Sequence, residues 1–122
     1  MTKQKIKRTL KRLPYILKMM DEGLSEAKFY IGKKTEHIVI DKEIKEIVEI
    51  INDMLKKHSG DWAIDILRRV RAGEKDITIM IDSPVSANKY YDTKKEIVHR
   101  IYACCVAKGL ISYEEIINEA IG

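Results

Sequence analysis

The stretch Gly73–Leu110, GEKDITIMIDSPVSANKYYDTKKEIVHRIYACCVAKGL, decides how the chain is read, because it holds two periodic segments separated by a polar break. In the first, Ile77, Met80 and Ile81 fall at i, i+3 and i+4, one face of a short helix. Asp82-Ser83-Pro84 is the break. Pro84 disfavours helical backbone at Ser83 and lacks the N–H that a helix interior needs. Ser86 then stands at an N-cap position, with a hydroxyl placed to accept from the next turn. A longer helix follows, with Tyr90, Ile97, Ile101 and Cys104 along one side and Val98, Tyr102 and Cys105 beside them. Short helix, tight turn and longer helix make a helix-turn-helix pattern. The competing reading of residues 74–81 is a strand, since Ile77, Ile79 and Ile81 share a parity and isoleucine and threonine favour sheets; Met80 breaks the alternation.

The residues Val85–Ile111, VSANKYYDTKKEIVHRIYACCVAKGLI, resemble the C-terminal helix of the phage ArpU/RinA-type late transcription regulators. Ser86, the pair Tyr90-Tyr91, Lys94 and Gly109-Leu110 carry the resemblance, while Asp92 and Thr93 stand where that family is more basic. The resemblance implies a helix-turn-helix similar to region 4 of sigma factors. It further implies a phage or prophage regulator that binds double-stranded DNA and brings RNA polymerase to late promoters.

Length and composition set the frame. A chain of 122 residues with 34% charged and 45% hydrophobic residues is long enough for one domain with its own core and too apolar to be disordered. The expected class is all-α or mainly α, with five to seven helices in a single domain over 1–122. Residues 1–58 supply a basic helix and a core or oligomer helix, 61–111 the helix-turn-helix unit, and 112–122 a short C-terminal helix. Net charge is +4, but its distribution says more: Lys3, Lys5, Lys7, Arg8, Lys11, Arg12 and Lys18 all precede the first acid, Asp21. Cys104 and Cys105 are helical neighbours pointing about 100° apart. They cannot form an ordinary disulfide, and they read as buried small residues in a reducing cytoplasm. No apolar run approaches the ~20 residues that span a bilayer.

Taken in order, Ile6, Leu10, Leu13, Leu17 and Met20 recur every three or four residues, an amphipathic helix with a cationic opposite face. Pro14 predicts a break near Arg12-Leu13, after which a second helix can run on to Tyr30-Ile31, weakened at Gly23, and stop at Gly32. Residues 33–40 read as a connector, with HIVI extended. Asp41 caps a helix whose stripe is Ile44, Ile47, Val48, Ile51, Met54 and Leu55. His58-Ser59-Gly60 is a turn, and Ser59 or Asp61 caps a helix through Ala72 with Trp62, Ile64, Leu67 and Val70 inward. Ser112 and Glu115 form a capping box for an acidic last helix with Tyr113, Ile116, Ile117 and Ala120 on its apolar side.

Catalytic patterns are lacking. His37, His58 and His99 lie on different elements, and no HExxH, GxGxxG, P-loop or GxSxG motif occurs, so a non-enzymatic protein without cofactor or metal is expected. For DNA binding, Asn88 can pair with adenine and Lys89 with guanine in the major groove. Tyr91, Lys94, Lys95 and the cluster Arg68, Arg69 and Arg71 would hold phosphates, with Ser86 opening the helix. Tyr90 shares the side of Ile97 and Ile101, so Tyr91 is the outward member of the pair. One such unit makes few base contacts, and a homodimer is expected. Two alternatives stay open: a helical adaptor or assembly protein without specific DNA binding, and an RNA-binding protein that uses its first helix. That helix's basic face reads first as a solvated face, then as a nucleic-acid surface and last as an anionic membrane contact, and no membrane partner is expected.

Overall fold

The structure is a computed structural model and describes residues 1–57, 61–83 and 85–121, among which seven helices and one β-hairpin occur. The elements run α1 (Lys3–Lys11), α2 (Leu13–Asp21), β1 (Glu26–Ile31), β2 (Lys34–Val39), α3 (Lys42–Lys57), α4 (Trp62–Arg71), α5 (Asp76–Ile81), α6 (Ala87–Ala107) and α7 (Tyr113–Ile121). The chain is therefore mainly helical, and residues 76–81 are helix rather than strand.

Thr2 opens α1 by accepting from the Lys5 N–H, and the helix ends at Arg12. Pro14 sits in the first turn of α2, where its missing N–H costs nothing. The predicted break is present, and it changes the phase of the stripe: Ile16 and Met19 are buried, whereas Leu17 is half-buried and Met20 exposed.

The expected continuation of α2 to Ile31 is wrong. Gly23, at φ +73°, terminates α2, with its N–H donating to Met20 O and the Leu24 N–H to Met19 O, a Schellman arrangement. Residues 26–31 instead form β1, paired antiparallel with β2 in the register Glu26↔Val39 to Ile31↔Lys34. Ala27, Phe29 and Ile31 alternate with exposed neighbours, so only a period of two buries them together. Phe29 packs on Tyr15 of α2 with ring centroids 5.1 Å apart. Gly32 does not stop a helix; at φ +65° it takes the first of the two loop positions in the hairpin, where a side chain would be strained.

Asp41 caps α3, its Oδ1 accepting from the Ile44 N–H at 2.8 Å. Ile47, Val48, Ile50, Ile51 and Met54 are buried, while Ile44 and Leu55 lie at the margin. On α4 the buried residues are Ala63, Ile64, Ile66 and Leu67, with Trp62 and Val70 half-buried. The turn at His58-Ser59-Gly60 and the terminator role of Pro84 lie outside the described residues. Long helix α6 packs against α1, α3 and α4, placing Tyr90, Ile97, Ile101 and Cys105 in the shared core. The capping box is formed: Glu115 Oε2 accepts from the Ser112 N–H at 2.9 Å, and Ser112 Oγ from the Glu115 N–H at 3.2 Å. Glu119 also accepts from the Lys3 N–H at 3.0 Å, so α7 places a carboxylate at the positive end of α1. Only Ile116 of its expected apolar side packs against the core; Tyr113 and Ile117 are exposed.

Candidate nucleic-acid interface

Ser86 begins α6 as expected, its hydroxyl accepting from the Lys89 N–H at 3.2 Å. The first turns then divide by side. Tyr90, Thr93 and Ile97 are buried, and Asn88, Lys89, Tyr91, Asp92 and Lys95 are exposed. Tyr91 is thus the outward tyrosine, its ring edge-on to Tyr90 at 5.3 Å.

Tyr90 is fully buried as a residue, yet its hydroxyl reaches Asp76 Oδ1, donating at 2.6 Å. Lys94 Nζ donates to the same oxygen at 2.9 Å. Partial burial alone would raise the Asp76 carboxyl, but the bonds from Lys94 and Tyr90 bring it below the usual carboxylate range. Burial, and then the Asp76 carboxylate, push the Tyr90 phenol well up, so it stays a donor. This junction fixes the rotation of α5. With Asp76 facing α6, Ile79 follows it inward and is buried, and Met80 is half-buried. Ile77 and Ile81, expected on the inner face, are the exposed ones at 62% and 76%.

The cations of the expected interface divide in the same way. Arg69 is bound at 2.7 Å to Glu74 Oε1 and also to Asp82, and those carboxylates hold the guanidinium charged. Lys94 is engaged by Asp76. Both therefore act inside the fold. Among the described residues Arg68 makes only an exposed i, i+3 pair with Asp65, and Arg71 donates to Asn52 Oδ1 at 3.2 Å. Lys89 and Lys95 have no ion pair among the described residues.

The basic first helix is similarly thinned. Lys5 pairs with Asp41 and Glu43, Arg12 with Glu36, and Lys3 lies over the Tyr102 ring at 5.1 Å. Lys7, Arg8 and Lys11 are exposed and carry no ion pair among the described residues. Because α1 packs on α6, Lys7 and Lys11 line one groove with Tyr91 and Lys95, joined by Lys75 from the loop before α5. That convergence was missed from the sequence. The α1 periodicity marks which residues face out, but nothing in it says that α6 lies alongside.

Cys105 is buried and Cys104 half-buried, both as thiols. Among the described residues no cluster of His, Cys, Asp and Glu could hold a metal ion, and no helix is long and apolar enough to cross a membrane. Trp62 packs at the margin of the core, and its buried indole N–H has no acceptor among the described residues. Comparison with protein-family models, with curated proteins and with solved structures finds no match to this chain.

Proposed function

We propose that the chain is a sequence-specific DNA-binding transcription regulator in which α5, the following turn and α6 act as a helix-turn-helix. The observation that carries this reading is the division of α6: Tyr90, Thr93 and Ile97 hold it to the body of the protein while Asn88, Lys89, Tyr91 and Lys95 face outward. Such a helix end can enter a major groove with Asn88 and Lys89 at base edges. Tyr91, Lys95, Arg68 and Arg71 then serve phosphates, with Lys7 and Lys11 extending the cationic surface. Asp92, on the same side, limits how deeply that turn can sit.

The resemblance of Val85–Ile111 to the ArpU/RinA-type regulators supports the same reading and extends it to a phage or prophage protein acting in the cytoplasm with RNA polymerase. A homodimer follows from the small number of base contacts per unit.

The test is enrichment of a duplex from a random pool, followed by salt titration of the selected and random sequences. A selected duplex bound at least ~1,000-fold more tightly than random, with a steep salt slope, is expected. Lys89→Glu with Lys95→Glu should remove that preference. Failure to enrich any sequence, with only weak salt-sensitive binding, overturns the proposal. In that case Ile77 and Ile81, exposed on α5, favour the second reading, a helical interaction protein.

A further inference from the structure

The groove beside α6 has a composition that DNA binding does not require. It measures about 680 Å³ and is walled by the α1–α2 junction, the end of α4, the loop into α5, the middle of α6 and the end of β1. Its floor is apolar, supplied by Leu10, Pro14, Tyr15, Ile31, Val70 and Val98. Its charged rim is lopsided. The two acids, Glu74 and Asp76, are already held by Arg69 and Lys94. Lys7, Lys11, Lys75 and Lys95 have no ion pair among the described residues. A phosphate backbone would use the lysines and leave the floor wet.

We propose that this groove is a binding site for a small amphipathic carboxylate, an aliphatic tail on the apolar floor with its head on the lysine rim. The volume lies within the ~300–1,000 Å³ of small-molecule sites, and an apolar lining with a few convergent polar groups is their usual form. Charge complementarity selects the head group: with both rim acids neutralised, the four lysines favour an anion over a neutral or cationic end. Binding itself does not depend on the DNA reading, although Lys7, Lys11, Tyr91 and Lys95 belong to both surfaces.

The experiment uses the whole chain and monomeric decanoate, below its micelle concentration, followed by calorimetry and by amide chemical shifts. Saturable binding of one decanoate per chain is expected, with shifts confined to the groove. Acetate, which has the head without the tail, and decanol, which has the tail without the head, should each bind at least ~10-fold more weakly. Lys7→Glu with Lys11→Glu, both exposed and tolerable for folding, should weaken decanoate about tenfold or more. Lys18→Glu with Lys28→Glu, away from the groove, should leave it unchanged. No saturable binding, equal loss in both double variants, or binding of anionic vesicles without binding of the monomer would overturn the proposal. None of these measurements contains DNA, so the site and the regulator reading fail separately.

Discussion

The two most basic stretches of the chain, α1 and the end of α4, look alike in sequence and differ in what the fold leaves of them. At the end of α4, Arg69 is taken by Glu74 and Asp82, and its neighbours Arg68 and Arg71 have lighter, more exposed partners. On α1, Lys5 and Arg12 are taken by Asp41, Glu43 and Glu36, leaving Lys7, Arg8 and Lys11 unpaired among the described residues. The acids that take Arg69, Lys5 and Arg12 come from 5 to 38 positions away, so charge along the chain does not measure charge available to a polyanion. A cation becomes an internal strut or a surface contact according to which acid the tertiary structure brings beside it.

The hardest way to break this contrast is to remove the junction that engages Lys94. Tyr90→Ala deletes a fully buried ring that ties α6 to Asp76. A loss of about 3–5 kcal/mol is expected, read as a lowered urea midpoint. An unchanged midpoint would mean that α5 and α6 are not held together in this way.

The double variant Lys89→Glu, Lys95→Glu should remove the ~1,000-fold preference for the selected duplex while shifting stability by no more than about 0.5 kcal/mol. Arg69→Ala should do the reverse, lowering the thermal midpoint and changing DNA affinity little. If Arg69→Ala abolishes binding at unchanged stability, the division between internal and outward cations is misplaced.

The smallest effect sharpens the role of Asp76. Its folded carboxyl titrates below the ordinary value of about 4, so its stabilisation is present above that pH and lost as pH falls through the folded value. The carboxylate side chain is 43% exposed, and solvent screening keeps the effect on the order of 1 kcal/mol or less. Asp76→Asn should therefore have a lower urea midpoint than the native chain at pH 6, and the difference should shrink below about pH 4. A gap that stays constant to pH 3 would show that the charge of Asp76 contributes nothing.

Local chemistry made several features legible. Asp41, Ser86 and Ser112 cap the helices their positions predict, and Asp61, one of two candidates, caps α4, because a cap depends on a side chain and N–H groups a few residues away. The outward position of Tyr91 followed from helical geometry alone. The hairpin was hidden because Leu13–Ile31 contains apolar residues at spacings that satisfy a helix as well as a strand, and HIVI alone does not name its partner. Ile79 was hidden because six residues of α5 offer two plausible apolar sides, and the choice rests with Asp76, Tyr90 and Lys94.

By itself, then, the sequence determined the helix starts, the break at Arg12, the capping box and the two-sided character of α6. These rest on interactions within about one helical turn. Only the tertiary structure decided which cations remain at the surface, which side of α5 faces inward, and that Lys7, Lys11, Lys75 and Lys95 surround one apolar groove. Each of those depends on contacts between residues distant in the chain, whose pairing is set by how whole faces pack and not by the order of residues within one element.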